Sequence, residues 1–317
     1  MDKRFELSNN KIGAAIQYFR EFSGITQGEL CKGLCSVATL SRIEAGERDA
    51  DSLLLETLLE RLGRMPNQFE LILTDFDYLI YVNREEIKKQ LNEKNIEKAE
   101  ELLLEYELTA SSKGNTHMQF IAYSKALMND LHGGEVTETI DILMEAISYT
   151  VPDFKTHMIK DYHLSSSELG IIIEIIQRMI LAGITESAKD ILEQILEYLE
   201  LQALSEENNR IYTKVIVLAS KLYMQEDNVR KAGELCTKGL ERGKGNRRID
   251  YLGDLFYIKA RATEEILKQN GIWNTSNEEC LKTYLQAYYA YCFCEDQTAA
   301  DKIKKYLQEV YQWADID

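Results

Sequence analysis

Four polar side chains fall where a short helix would press them against a nucleic acid. They are Gln27, Ser36, Thr39 and Arg42, inside the stretch TQGELCKGLCSVATLSRIEAGERD at residues 26–49. A glutamine in the first turn of a helix meets a phosphate together with the backbone N–H groups left open there. A serine, a threonine methyl and an arginine suit base edges or phosphates in a major groove. This chemistry is recognition, with no bond made or broken.

The other reactive residue types lack the spacing that chemistry needs. The histidines, at 117, 132, 157 and 163, form no HExxH pair, and His157 and His163 flank Asp161 at a spacing that suits no common metal site. Cys31 and Cys35 have Gly33 and a turn between them, and Cys292-Phe293-Cys294 has no further cysteines at useful spacing. The run GLERGKG from Gly239 lacks the phosphate-loop pattern and follows a helical segment. Acidic pairs such as Glu100-Glu101 read as solvated helix faces. The expectation is a protein that is not an enzyme and holds no metal and no cofactor.

The elements that must position Gln27 and Arg42 are legible. Ile12, Ala15, Ile16 and Phe19 recur at helical spacing and predict a first helix over Lys11–Phe22. Ser23-Gly24-Ile25 ends it. Thr26 caps a second helix and Glu29 completes a capping box, with Leu30 inward. Cys35 is expected as a small core residue at the turn. Ser36 caps a third helix, whose inward pair is Leu40 and Ile43, with Val37 at the margin and Ala38 on the exposed side. Gly46 allows a tight exit, and a fourth helix covers Asp51–Leu62. The spacing is that of a helix-turn-helix displaying its third helix. Arg20 ends helix one and Glu44 ends helix three. Either they bridge and fix the display angle, or they are ordinary surface charges worth under about 1 kcal/mol.

Charge argues against strong non-specific attraction to a polyanion. The chain of 317 residues has net charge -16, yet residues 1–70 hold 9 Lys/Arg against 11 Asp/Glu, so nearly all the acidity lies beyond this head. Its affinity has to come from a few placed groups and from pairing two heads. With 2 prolines and 17 glycines the chain reads as all-α with short connections. Six cysteines, with no secretory segment ahead of them, read as reduced thiols of a cytoplasmic protein. The apolar run from Leu169 is broken by Glu174, Gln177 and Arg178, so no membrane span is expected.

From Arg84 onward a helix–turn–helix theme recurs. Second helices begin near residues 96, 135, 185 and 228, an irregular period longer than 34 residues. Ala99, Ala188 and Ala232 hold equivalent early places in such helices, where paired helices approach closely. Tyr149 to Leu164, with Pro152, breaks the period as a connector. The organisation expected is a head at 1–66, a connector or linker helix at 67–83, and a tetratricopeptide-like α-solenoid at 84–317. First helices of hairpins line the concave side of such an array. That nominates Gln177, Arg178, Tyr212, Lys214, Lys221, Tyr257, Lys259, Arg261 and Tyr288 as groove residues. The closing segment Gln297–Trp313 carries Tyr306, Val310 and Trp313 as an apolar stripe that no later repeat covers, and so as a dimer surface.

The pattern T-Q-x-E-L…S-x-x-T-L-S-R-I-E-x-G, Thr26 to Gly46, resembles the xenobiotic-response-element class of helix-turn-helix over roughly residues 8–65. The resemblance implies that Gln27 contacts phosphate and that Ser36, Val37 and Thr39 read bases, with Arg42 a further contact. Val37 and Ala38 depart from the long polar residues common there, which shifts readout toward thymine methyls. Head and repeats together resemble the peptide-pheromone-responsive regulators of Gram-positive bacteria, the Rgg, PlcR, NprR and PrgX group. That resemblance implies a homodimer on a two-fold double-stranded DNA operator. It also implies a short signalling peptide in the repeat concavity, with asparagines such as Asn129 and Asn209 holding its backbone. Two alternatives stay open: repeats that serve as a protein-binding or dimerisation scaffold, and a response-regulator-binding or phosphatase-like signalling protein.

Overall fold

The computed structural model describes residues 11–65, 67–201, 206–246, 249 and 251–313. Every regular element among them is helical. The head is α1 (Lys11–Phe22), α2 (Gln27–Cys31), α3 (Val37–Glu44) and α4 (Ser52–Arg61). Thr26 and Glu29 form the capping box that opens α2, Ser36 caps α3, and Asp51 caps α4. Ile16, Leu30, Leu40, Ile43 and Leu58 are fully buried in its core. A Cβ on Gly13 would stand 2.0 Å from the Ile43 carbonyl oxygen, so α1 and α3 meet backbone to backbone.

A 3-10 turn at Gln68–Leu71 leads to α5 (Asp75–Asn92). Thr74 and Asp77 form its capping box, so the helix starts inside the stretch expected as a connector. Asp77 also accepts the Ser52 N–H at 2.8 Å, which pins the start of α5 to the start of α4. Helical hairpins follow: α5 with α6 (Ile96–Ala110), α7 (Asn115–Leu131) with α8 (Val136–Thr150), and α9 (Ser166–Leu181) with α10 (Thr185–Leu201). Then come α11 (Glu206–Gln225), α12 (Val229–Asn246), α13 (Leu252–Gln269), the short α14 (Trp273–Ser276), α15 (Glu278–Phe293) and α16 (Gln297–Tyr311). Ala99, Ala188 and Ala232 are all completely buried, which is what lets the helices of α6, α10 and α12 approach their partners. The fold is all-α, a helix-turn-helix head followed by tetratricopeptide-like hairpins.

The chain forms two compact units. One comprises the elements up to Gln194, and the other comprises Ile195–Glu200 with the elements from Glu206 on. The first contains the head, the hairpins α5–α6 and α7–α8, the connector between α8 and α9, and α9 with the first part of α10. The connector is ordered by its own bonds: Tyr162 donates to the Asp153 carbonyl at 3.1 Å and accepts the Lys155 N–H at 3.0 Å.

The second unit closes around a carboxylate. Glu264 is fully buried on α13 and accepts from Tyr284 at 2.8 Å, from Tyr311 at 3.3 Å, and from Tyr306 and Lys268. Trp313 meets Tyr288 edge-on at 5.6 Å. The stripe expected to lie open is therefore mostly turned onto its own chain. Tyr306 is bonded inward and Trp313 is packed, while Val310 stays exposed. Hydroxyl groups along the stripe, not its apolar area, decide which way it faces. Burial raises the Glu264 pKa, but the bonds from Lys268, Tyr306 and Tyr284 outweigh it and hold the carboxyl below its ordinary 4.5. A depressed carboxyl contributes stability that is complete above its ordinary value and is lost as pH falls through the folded one. Glu264→Ala is expected to destabilise the second unit by about 1–3 kcal/mol, through buried hydroxyls left without an acceptor. Urea unfolding followed at pH 7 checks this. Hydrogen exchange in α16 of the unaltered chain should accelerate as pH is lowered past 4.5, after correction for intrinsic rates.

Candidate functional site

The display angle of α3 is set by a buried carboxylate. Glu44, 5% exposed, accepts Arg20 Nε at 2.6 Å and Arg20 Nη2 at 3.0 Å. Arg20 Nη1 donates to the Ile25 carbonyl at 3.1 Å, which fixes the chain where it enters α2. The hydrogen bond to Glu44 raises the arginine pKa further, against the opposing effect of burial. Gln27 Nε2 donates to the same carboxylate at 2.7 Å, on Oε2, the oxygen that also accepts from Arg20 Nη2. So α1, α2 and α3 meet at one charge, and Gln27 faces inward through its amide nitrogen. Its backbone N–H and that of Gly28 have no carbonyl partner within a helix that starts there. The first turn of α2 offers those groups to an anion.

On α3, Ser36, Val37, Ala38 and Arg42 are exposed and Thr39 is half-buried. Ser36 Oγ accepts the Thr39 N–H at 3.1 Å and lies 2.9 Å from the Thr39 hydroxyl. Arg48 Nη1 donates to that hydroxyl at 3.3 Å. Arg48 comes from the turn after α3 and reaches back to its first turn. It is an exposed cation on the reading surface that spacing did not single out. The signal available was its place just past the exit glycine, Gly46. The other described arginines of the head are engaged elsewhere. Arg20 is on Glu44, Arg61 pairs with Glu168, and Arg64 lies 4.1 Å above the Phe19 ring. Arg42 and Arg48 bracket a surface of two hydroxyls, a valine and an alanine. Such a patch can donate to guanine or phosphate and touch a thymine methyl.

The nominated groove residues fall into two groups, one in each unit. In the first, Arg178 donates to Asp130 at 2.8 Å through Nε and pairs with Glu174. Gln177 sets its amide against Glu174 at 3.1 Å, and Asn129 donates to the Thr139 hydroxyl at 3.1 Å. These side chains form one polar cluster on α7, α8 and α9. In the second unit Tyr212 is 3% exposed, its ring 3.9 Å under the Arg242 guanidinium and its hydroxyl donating to Glu200 at 3.1 Å. Asn209, also buried, accepts from Arg242 Nε at 2.7 Å. Arg242 on α12 thus draws both residues into a packed stack. Lys221 is exposed and bonds Asp254 at 2.9 Å. Arg261 reaches the Tyr257 hydroxyl at 3.5 Å, Tyr288 packs on Trp313, and Lys214 and Lys259 are half-buried.

No group of three or more His, Cys, Asp or Glu suited to a metal occurs among the described residues. All six cysteines are free thiols. Burial pushes Cys35, Cys236 and Cys280 up to about 11, which leaves little thiolate at neutral pH. No described helix is long and apolar enough to cross a membrane.

No family model matches the chain, and no curated protein matches it. Solved structures do. Bacillus thuringiensis PlcR in complex with the peptide PapR7 and DNA is 17% identical, with a TM-score of 0.56, covering 93% of this chain and 99% of that one. The apo form of the same protein matches at 17% identity and a TM-score of 0.54, covering 93% and 98%. The apo competence regulator ComR of Streptococcus vestibularis matches at 17% and 0.46, covering 95% and 98%. The two PlcR likenesses, at 17% identity, show a shared fold and nothing beyond it.

Glu44→Ala is expected to destabilise the head on the order of 3 kcal/mol, because it strips a part-buried arginine and a glutamine of their shared acceptor. Hydrogen exchange of α1–α3 amides in the full chain reads this directly. Unchanged protection there would mean that Arg20 finds water or another acceptor at no cost.

Proposed function

We propose that this chain is a sequence-specific transcription regulator that binds double-stranded DNA through α3. In this reading a short peptide held by the repeat helices sets its affinity. It works in the cytoplasm, as a homodimer, and catalyses no reaction. The exposed side of α3 carries the first half: Ser36, Val37 and Arg42 stand outward, with Thr39 beside them and Arg48 reaching back from the following turn, on a helix whose angle is fixed by Arg20, Glu44 and Gln27. In their roles, Gln27 and the open first turn of α2 take a phosphate, and Ser36, Val37 and Thr39 meet base edges. Arg42 and Arg48 supply the positive charge that the rest of the head lacks. The peptide half is supported by the shared fold, since the solved PlcR structure holds both a peptide and DNA. On this chain Asn129, Gln177 and Arg178 are the more accessible candidates for a peptide contact, being half-buried where Asn209 and Tyr212 are buried. Asn209 and Tyr212 are engaged by Arg242.

Enrichment of duplexes from a random-sequence pool by the full-length chain tests the DNA half and yields a defined probe. Arg42→Ala is expected to weaken binding to the enriched duplex at least tenfold, about 1.4 kcal/mol, with helical content unchanged. Binding of this variant equal to that of the parent would reject α3 as the reader. For the peptide half, mass spectrometry of the protein drawn from its native cells should find a co-purifying peptide of roughly five to ten residues, the length of a segment one helical-repeat groove can bury. Adding it should shift duplex affinity severalfold, a coupling of about 1–3 kcal/mol. A peptide that binds and leaves duplex affinity unmoved would reject the switch. Co-purification of a folded protein partner alone would favour the scaffold reading.

A further inference from the structure

The head is held to the repeats by a buried guanidinium. Arg61, at the end of α4, is 5% exposed, and Glu168, in the first turn of α9, is fully buried. All five N–H donors of Arg61 are engaged. Nε donates to Glu168 Oε2 at 3.2 Å, and Nη2 to Glu168 Oε1 at 2.5 Å and to the Thr150 carbonyl at 2.8 Å. Nη1 donates to the carbonyls of Leu30 at 3.1 Å and Lys32 at 2.8 Å. Leu30 and Lys32 end α2, Thr150 ends α8, and Glu168 completes the capping box that starts α9. One side chain from α4 thus ties three helix termini, two of them outside the head. Carbonyls at a helix end lack partners within the helix, which is why a cation satisfies them there.

Other contacts repeat the arrangement around it. Gly33 has φ +78°, and a Cβ on it would stand 2.0 Å from the Thr150 carbonyl oxygen and 2.5 Å from Pro152. Asn115 donates to the Gly33 carbonyl at 2.7 Å. Asp51 lies 3.3 Å from His117 Nε2, and His117 Nδ1 pairs with the Tyr106 hydroxyl at 2.7 Å. Glu60 accepts the Ser166 N–H at 3.0 Å. The head is seated through α4 and the turn between α2 and α3. Ser36, Val37, Ala38, Arg42 and Arg48 take no part in the seat and stay exposed.

We propose that Arg61 is a positioning residue for DNA recognition, and that the head reads DNA without leaving its seat. This rests on the reading of α3 as a DNA contact. The seat holds the carbonyl end of α2, and α2 is tied to α3 through Gln27 and Glu44. Displacement at Arg61 therefore reaches the reading surface through one short helix. A seat that served as a brake would cover the reading side chains. This one leaves Ser36, Val37, Ala38, Arg42 and Arg48 exposed. Freed from it, the head gains orientational freedom that binding must then remove.

The test uses full-length protein and the duplex enriched by the unaltered chain. Replacing both charges, Arg61→Met with Glu168→Met, avoids stranding one buried ion. Arg61→Lys keeps the charge with three donors. Circular dichroism monitors the fold, hydrogen exchange of α2, α4 and the start of α9 monitors the seat, and fluorescence anisotropy gives duplex affinity. The double variant is expected to keep its helical content, exchange faster at the seat and bind the duplex at least tenfold more weakly, with Arg61→Lys between it and the parent. Faster exchange at the seat with equal or tighter binding would overturn the proposal and make the seat a bystander or a brake. If the double variant does not fold, the same pairing of exchange and affinity in Arg61→Lys decides. A parent chain that enriches no duplex would remove the DNA reading itself, a result distinct from either.

Discussion

The buried pair of Arg61 and Glu168 constrains more of this protein than any apolar contact. Two charges removed from water are tolerated only when every donor and acceptor around them is satisfied. Here five N–H groups meet one carboxylate and three main-chain carbonyls. Those partners belong to α2, α8 and α9, so α4 cannot keep its place unless the other three keep theirs. An apolar interface would tolerate sliding by a fraction of a side chain. A guanidinium with all its donors engaged does not, because its bonds lengthen together. The head and the first hairpins form a single compact unit, and the pair supplies a geometric reason.

The helices themselves were legible because their starts are written locally. Thr26 with Glu29, Ser36 before Leu40, and the alanines at 99, 188 and 232 each announce an element within a few residues. The Arg20–Glu44 bond was legible as one of two readings, since the two residues end helices one and three. Arg61 and Glu168 lie 107 residues apart, and nothing near either marks it as a partner of the other. Arg48 was hidden for a related reason. Its importance comes from folding back on Thr39, which depends on the geometry of the turn and not on helical spacing.

Groove residues were the least legible. A polar or aromatic residue on the first helix of a hairpin is a fair candidate only if the following helix leaves it uncovered. Arg242 lies on that following helix and settles the fate of Asn209 and Tyr212. Similarly, Tyr306 and Trp313 form an apolar stripe by spacing, yet hydroxyl bonding to Glu264 and packing on Tyr288 turn them inward. In both places a single polar side chain from a neighbouring helix decides which face is buried. Hydrophobic periodicity does not record such side chains.

Ser36 has two duties that bear on how recognition could diverge. Its hydroxyl is the acceptor that starts α3, and the same atom stands beside Thr39 on the reading surface. Only a few residue types cap a helix well, chiefly serine, threonine, aspartate and asparagine. Position 36 therefore has a narrow chemical alphabet, and aspartate there would repel phosphate. Position 37, where a valine is half-exposed and makes no cap, has no such limit. If α3 reads DNA as proposed, residue 37 and its exposed neighbour 38 are free to change while 36 stays nearly fixed. Under that proposal, preference can change one position at a time without disturbing the cap that starts α3.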